Sequence, residues 1–168
     1  GSFAARAKNR RSETMKRRDL VRMSDTAVWE FIAAQKNVQL ATLGKDGWPH
    51  LTTLWFAIDE GDVVLETFTK SQKVKNLERD NRITALFESG SEYEELCAVV
   101  IYGRAELIRD PEEVHRLHMK VLLRNNSRDY PEEMLVEATR SMVHKKTAIR
   151  IVPERIVSWD HGKLDVAY

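Results

Sequence analysis

Cysteine and long hydrophobic runs are nearly absent from this chain of 168 residues, and each absence excludes a class of protein. The single cysteine, Cys97, rules out an internal disulfide framework and fits a reducing compartment, so we expect a cytoplasmic protein. Cys97 lies in the apolar run LCAVVIY, which is typical of a buried small side chain rather than of a catalytic thiol. The longest apolar runs, such as residues 98–102, are far shorter than the roughly 20 residues that a membrane-spanning helix needs.

The common catalytic motifs are absent as well. The sequence contains no P-loop, no Gly-x-Gly-x-x-Gly and no Gly-x-Ser-x-Gly. His115 and His118, with Glu112, have the only metal-like spacing in the chain, and we interpret them as surface histidines rather than as ligands. We therefore expect no metal site and no catalytic side chain, and we expect any chemistry to be carried by a bound cofactor.

The net charge of +1 conceals a strongly basic N-terminus. Residues 1–22 carry eight Lys or Arg against Glu13 and Asp19, which gives +6, and the rest of the chain carries −5. We interpret this stretch as a solvated, disordered leader, because no base-reading element or aromatic ladder supports nucleic-acid binding. Gly1-Ser2 resembles a cloning remnant and Met15 a native start, and the folded domain is expected to span residues 24–168.

Short apolar runs separated by turn residues predict a mainly β, α+β domain. Ser24 can cap a first helix, Asp110-Pro111 marks the start of another that ends near Arg124, and Pro131 starts a last one. Gly103 is expected at a bulge or at a point of close backbone approach. The helices are too few for βαβ crossovers, which favours an antiparallel barrel with peripheral helices, its six strands being 38–43, 50–58, 63–67, 82–87, 96–108 and 147–157.

The most informative stretch is Thr-x-Thr-Lys-Ser-Gln-Lys at residues 67–73, where a strand meets a short helix. The first N–H groups of a helix lack partners within the helix, and the helix dipole favours an anion there. Ser71 adds a hydroxyl and Lys73 a flexible positive charge. The stretch therefore predicts a phosphate-binding corner, whereas Lys70 and Lys75 fit a solvated helix face equally well.

Four segments, spanning about residues 24–164, carry a family resemblance: ATLGKDGWPHLTTLWFAID, LETFTKSQKVKNLERDNRITALFE, YGRAELIRDPEEV and AIRIVPERIVSWDHGKL. Together they resemble the pyridoxamine 5′-phosphate oxidase-like superfamily, and within it the coenzyme F-420 (deazaflavin)-dependent reductases of actinobacteria. The resemblance implies a split β-barrel, an FMN-binding-like antiparallel Greek-key fold. It also implies a homodimer with two cofactor sites at the subunit interface.

The resemblance further implies a set of cofactor-binding residues. A strand would run under the tricyclic ring, residues 67–69 would border the ring and the ribityl chain, and residues 71–73 would bind the phosphate. Tyr93 and Leu96 would reach the partner's site, and Trp159 would close near the ring. The full set is Thr52, Thr53, Leu54, Trp55, Phe56, Thr67, Phe68, Thr69, Ser71, Gln72, Lys73, Tyr93, Leu96 and Trp159.

The resemblance favours an oxidoreductase in which bound F-420 transfers a hydride to an activated double bond of a small organic substrate. An FMN-dependent oxidase or reductase of the same fold is a second interpretation, because FMN shares the tricyclic ring and the phosphate. A true pyridoxamine-phosphate oxidase is not expected, because His50 stands where oxidase-type relatives use an arginine. A third interpretation is a non-enzymatic protein that binds a flavin or haem in the same barrel.

Overall fold

The computed structural model describes residues 16–164. Its helices are α1 (Arg17–Leu20), α2 (Asp25–Ala34), α3 (Gln72–Arg79), α4 (Pro111–Arg124) and α5 (Glu132–Met142). Its strands are β1 (Asn37–Leu43), β2 (Pro49–Trp55), β3 (Ala57–Asp59), β4 (Asp62–Phe68), β5 (Arg82–Ser89), β6 (Cys97–Ile108) and β7 (Lys146–Asp160). Among the helices of residues 16–164, none combines the length and the apolar character of a membrane-spanning segment.

The predicted basic leader falls mostly outside the described residues, which begin at Lys16. In its described part, Arg17–Leu20 forms the short helix α1, and Val21 is buried. The backbone carbonyl of Val21 accepts a hydrogen bond from the Asp160 N–H at 2.7 Å. The end of the basic segment is therefore attached to the last strand of the domain.

All seven strands form one antiparallel sheet in the order β2-β1-β5-β6-β7-β4-β3. The two strands at its edges, β2 and β3, follow each other in the chain across the single residue Phe56. Since consecutive residues cannot be far apart, the sheet must curl until its two edges meet at Phe56. This confirms the predicted split, mainly β barrel, although the strand expected over residues 50–58 is divided in two.

Alternating side chains of the curled sheet fill the interior of the barrel. In β1 the fully buried Val38 and Leu40 alternate with half-exposed residues, as a sheet with one solvated face requires. Phe56 and Phe87 meet edge to face at the centre, with 5.0 Å between their ring centroids. Cys97 packs against this core but is only partly buried, less deeply than the sequence predicts, and burial raises the pKa of its thiol.

Helix starts and the bulge also agree with the sequence. The Ser24 hydroxyl accepts a hydrogen bond from the Ala27 N–H at 3.2 Å, and the Asp110 carboxylate accepts one from the Glu113 N–H at 3.1 Å. The pairing of β6 with β7 shifts register between Tyr102 and Gly103, which is the predicted bulge. A Cβ on Gly103 would collide with the Val152 carbonyl, so only glycine fits there.

A buried carboxylate attaches helix α4 to the barrel. Asp59, at the end of β3, is 2% exposed. Its two oxygens accept hydrogen bonds from Arg116 and Lys120 of α4, at 2.8 Å each, and from Arg150 of β7, at 2.6 Å. Hydrogen bonds from Arg116 above all, then from Lys120 and Arg150, hold the pKa of Asp59 far below its usual range. One carboxylate thus joins three elements through charge-assisted bonds.

We predict that Asp59→Asn lowers the unfolding free energy at pH 7 by roughly 3–5 kcal/mol, because the three cations then lose their common counter-charge. Because the pKa of Asp59 is lower in the folded than in the unfolded protein, its carboxylate stabilises the fold at pH values above the unfolded pKa of about 3.9. This stabilisation is lost as the pH falls below that value. The variant should therefore lose part of the acid sensitivity of the wild type below about pH 4. Urea unfolding at several pH values measures both effects.

Asp62→Asn provides the matched control. Asp62 lies 3.7 Å from Arg150 and is more exposed than Asp59, so the loss of its charge should cost less than about 1 kcal/mol. Equal effects of the two substitutions would contradict the central role of Asp59.

Candidate functional site

Strands β2 and β4 lie on either side of Phe56 and do not pair with each other. We call the gap between their facing edges the groove. Strand β4 pairs with β3 only from Asp62 to Val64, and beyond that its described pairing is with β7. Strand β2 pairs with β1 alone. If the register of β3 and β4 continued into β2, Leu54 would lie opposite Thr67, but these two residues do not pair. The two edges therefore leave backbone donors and acceptors free to bind a ligand.

Strand β2 presents two different faces at this groove. His50, Thr52 and Leu54 are partly buried, whereas the intervening Leu51 and Trp55 are exposed. Within the described part of the protein, neither Nδ1 of His50 nor Oγ1 of Thr52 has a hydrogen-bond partner, although both atoms are buried. Buried polar atoms are rarely left without a partner in a folded protein, so these two point to a polar ligand.

Hydroxyl groups and a lysine gather where β4 ends and α3 begins. The Lys73 ammonium donates a hydrogen bond to Oγ1 of Thr67 at 3.0 Å, and Thr67 also contacts the Ser71 hydroxyl at 3.5 Å. Thr69 is hydrogen-bonded to Thr147 of β7 through their hydroxyls, 2.8 Å apart. The structure therefore brings together Thr67, Thr69, Ser71 and Lys73 of the predicted corner.

The start of α3 has the features of an anion site. Ser71 is its N-cap residue, but the Ser71 side chain makes no capping hydrogen bond. The first backbone N–H groups of the helix therefore need another acceptor. Burial lowers the pKa of Lys73, and no described carboxylate is ion-paired with it. A bound anion would satisfy the N–H groups and restore the stability of the lysine charge.

The next predicted residue, Gln72, is held on the outer side of this corner. It donates a hydrogen bond to Oδ1 of the Asn76 side chain at 2.8 Å, and Nδ2 of Asn76 in turn donates one to the Thr42 hydroxyl of β1 at 3.1 Å. Gln72, Asn76, His50 and the exposed Trp48 line a hollow of about 690 Å³ between α3 and the β1–β2 turn. His50 thus faces the same helix start as Ser71, so one end of β2 belongs to the corner.

A buried charged cluster lies behind the corner. Glu66 is paired with Lys146 at 2.9 Å and lies 3.4 Å from Nε2 of His118 on helix α4. Our interpretation of His115 and His118 as surface histidines is wrong, because both are buried where α4 packs on the sheet. Their three-residue spacing places both on the buried face, together with Val114 and Leu117. The described residues contain no group of three or more potential metal ligands.

Three predicted residues lie away from the corner. Leu96 and Trp159 line a cleft of about 450 Å³ on the outer face of the sheet, together with Leu51. The Tyr93 ring lies 4.6 Å from the His161 ring, and the Tyr93 carbonyl is 2.8 Å from His161 Nδ1. Within one chain, therefore, Tyr93, Leu96 and Trp159 form a group of their own.

The remaining predicted residues have mixed surroundings. Thr53, Trp55 and Phe68 are exposed, and the Phe68 ring lies 3.8 Å from the Lys146 ammonium. Phe56 is fully buried, and its carbonyl accepts hydrogen bonds from Arg124 at 3.2 Å and Asn125 at 3.4 Å. The side chain of Phe56 therefore belongs to the core.

Sequence reasoning missed the residues that complete the site from distant strands. Thr147 and Lys146 lie on β7 opposite Thr67 and Phe68, more than 75 residues away in the chain. His50 and Glu66 could have been suspected from the sequence, because each lies on the same strand as residues predicted to bind the cofactor. His50 is two residues before Thr52, and Glu66 directly precedes Thr67. Nothing in the sequence indicates that β7 rather than another strand is the neighbour of β4.

Residues 24–160 match the family described as Pyridoxamine 5'-phosphate oxidase. The chain belongs to this family. The match covers the whole barrel and both groups of predicted residues, and it confirms the resemblance that the sequence motifs carry. Comparison with curated proteins finds no match.

Solved structures agree with membership of the pyridoxamine 5′-phosphate oxidase family. A conserved hypothetical protein from Mycobacterium tuberculosis is 38% identical, with a TM-score of 0.82 over 92% of this chain and 95% of its own. An F420 reductase is 19% identical, with a TM-score of 0.61 over 76% of this chain and 93% of its own. A FAD-binding protein from Mesorhizobium loti is 18% identical, with a TM-score of 0.56 over 81% and 94%. At such low identities, the last two show the fold alone.

We predict that His118 titrates below the ordinary histidine range in this family member, because burial lowers its pKa more than Glu66 raises it. Glu66→Gln should lower the His118 pKa further, since the only group that favours the charged imidazole is then removed. A histidine whose pKa is lower in the folded than in the unfolded protein binds a proton more tightly after unfolding. It therefore destabilises the fold as the pH falls below the unfolded pKa of about 6.5. A proton–nitrogen NMR titration measures the pKa, with the exposed His144 as a reference signal.

A His118 pKa that rises or stays constant in Glu66→Gln would contradict the pairing seen here. Urea unfolding of the same two proteins between about pH 7 and pH 5 should show the corresponding loss of stability towards acid.

Proposed function

We propose that this protein is an oxidoreductase that binds coenzyme F-420, a deazaflavin, and reduces an activated double bond of a small organic substrate. The observation that carries the proposal is the partly buried Lys73, whose Nζ lies 3.0 Å from the Thr67 hydroxyl beside the uncapped start of α3. A lysine in this position is suited to a phosphate group. The F420 reductase of the same fold supports the choice of coenzyme.

The open groove suggests where the rest of the coenzyme lies. With its phosphate at Ser71 and Lys73, a long planar cofactor can follow the unpaired edge of β2 from His50 towards Trp55. Five residues of a strand span about 17 Å, which gives room for a ribityl chain and a tricyclic ring. The orphaned hydroxyl of Thr52 lies along this path and can bond to a polar atom of the cofactor.

In this proposal the side chains position the reactants, and none of them is a general acid or base. When bound in its reduced form, the coenzyme would supply a hydride to one carbon of the acceptor, and solvent would supply the proton for the adjacent carbon. Leu54 and the backbone of β2 shield one side of the ring from water. Lys73 and Ser71 hold the phosphate end, which fixes the orientation of the ring.

We also propose that the protein works as a homodimer. The outer face of the sheet exposes Leu51, at 70%, in the cleft lined by Leu96 and Trp159. It also exposes Tyr102, which lines a neighbouring cleft that shares Ala41 and Thr84 with the first. Packing two such faces would bury these side chains, which is the usual role of an exposed apolar patch. Tyr93, Leu96 and Trp159 of one protomer would then complete the ring site of its partner, as the family resemblance implies.

FMN is the second candidate cofactor. The corner recognises a phosphate, which FMN also carries, and a FAD-binding protein shares the fold. The groove between β2 and β4 accepts either tricyclic ring, so direct competition between F-420 and FMN decides which one the protein prefers.

We predict that Lys73→Ala weakens the binding of F-420 about 10- to 100-fold, because a charge-assisted bond to phosphate contributes about 1.5–3 kcal/mol. Titration of cofactor-free protein, followed by tryptophan fluorescence, measures the dissociation constant for F-420 and for FMN in parallel. Lys75→Ala is the matched control, since Lys75 lies on the same helix but is exposed.

Equal losses in the two variants would mean that the helix acts only through general positive charge. Wild-type protein that binds neither cofactor at micromolar concentrations would overturn the proposed function. Preference for FMN would retain the phosphate corner and change the cofactor.

We predict that Leu51→Glu converts the dimer to a monomer at micromolar concentrations, because it removes an apolar contact and places a charge in the interface. Sedimentation velocity measures the mass. Leu123→Glu on α4 is the control, because Leu123 is also exposed but lies on a different face. A wild-type protein that sediments as a monomer would refute the proposed dimer.

A further inference from the structure

A hollow of about 450 Å³ lies at the other end of β2 from the phosphate corner. We call it the Trp55 hollow. Trp55, Leu122, Leu135 and Tyr130 supply most of its apolar wall, and residues 125–128 supply the polar one, together with Lys36. It therefore lies between the last residue of β2, the loop before β1, and the connection from α4 to α5.

The walls of the hollow are held in place by backbone contacts. The guanidinium of Arg124 donates hydrogen bonds to the carbonyls of Ala33 at 2.9 Å, Gln35 at 2.5 Å and Phe56 at 3.2 Å. Asn126 bonds in both directions to the backbone of Tyr130, at 2.9 and 3.0 Å. Such fixed walls favour a binding pocket over a loosely formed surface depression, because little order has to be gained on binding.

The side chains of the hollow combine aromatic surface with positive charge. Trp55 and Tyr130 are each 43% exposed, which is unusual for large aromatic residues in a fixed pocket. The Lys36 ammonium lies 5.4 Å from the centre of the Trp55 ring, and Arg128 is within 3.4 Å of the Tyr130 hydroxyl. No Asp or Glu is among the described residues that line the hollow, and neither cation has a carboxylate partner there.

The position of the hollow connects it with the proposed cofactor. His50 faces the phosphate corner, whereas Trp55 is five residues further along the same strand. A cofactor that lies along β2 with its phosphate at Lys73 therefore has its ring near Trp55. A molecule in the Trp55 hollow would meet the reactive end of the cofactor and not its phosphate end.

We propose that the Trp55 hollow is the acceptor pocket and that it takes planar, conjugated carboxylates. The conjugated part would pack against Trp55 and Tyr130, and the carboxylate would be held by Lys36 and Arg128. As an acceptor site the hollow rests on the proposed function, but its selectivity for anions follows from these four side chains alone. Binding can therefore be tested on the cofactor-free protein.

The experiment measures the binding of trans-cinnamate, a planar unsaturated carboxylate, to the full-length cofactor-free protein by saturation-transfer NMR. Cinnamamide is the matched neutral probe with nearly the same shape. We expect the wild type to bind cinnamate at least tenfold more tightly than cinnamamide. The double variant Lys36→Gln/Arg128→Gln should lose at least tenfold in cinnamate affinity and little in cinnamamide affinity.

Arg109→Gln is the control for the loss of a positive charge far from the hollow. Arg109 is exposed and precedes α4, whereas the hollow lies at the end of that helix, about 20 Å away. Lys36 and Arg128 are both exposed, so the double variant should retain its fold, which a thermal melt checks. Undiminished cinnamate binding in the double variant, or equal binding of the two probes by the wild type, would overturn the proposal.

Failure of this inference and failure of the proposed function are distinguishable. Lys73→Ala should weaken cofactor binding and leave cinnamate binding unchanged. The double variant should weaken cinnamate binding and leave cofactor binding unchanged. Loss of cinnamate binding in Lys73→Ala would place the probe in the phosphate corner and would refute the Trp55 hollow as its site. Cofactor binding without selective cinnamate binding would leave the function in place and refute only the acceptor pocket.

Discussion

One chain segment changes its pairing partner at Phe56, and the rest of the molecule depends on this change. Before Phe56 the chain pairs with β1, and after it with β4, so one run of backbone closes the barrel and opens the groove. The change is fixed from both sides, because the Phe56 ring is buried against Phe87 while Arg124 and Asn125 bind its carbonyl. Arg124 also holds the wall of the Trp55 hollow, and Asn125 lines it.

Three groups of charged residues differ in whether they have a partner of opposite charge within the chain. Asp59 is surrounded by three cations, and Glu66 is paired with Lys146 and approached by His118, so both carboxylates have cationic partners within the chain. Lys73 differs, since its close contact is a neutral hydroxyl and burial lowers its pKa. A group that the chain leaves uncompensated is a better candidate for binding than one that the chain has already paired.

The predicted cofactor residues divide into two groups, and the division itself is informative. Ser71 and Lys73 lie at the groove, whereas Leu96 and Trp159 lie in the cleft on the outer face of the sheet. A single chain therefore does not bring all of the predicted residues together. A dimer that packs outer face against outer face would reconcile the two groups and would cover the exposed Leu51 at the same time.

The sequence by itself determined the local features of this protein, because each depends on residues close together in the chain. The strands, the caps at Ser24 and Asp110, the bulge at Gly103 and the hydroxyl-rich turn before α3 are all of this kind. Only the tertiary structure decided which strands meet: it placed Thr147 beside Thr69 and buried His118 beside Glu66. It also divided the strand expected over residues 50–58, because sheet closure requires two different partners on either side of Phe56, and no local pattern encodes that requirement.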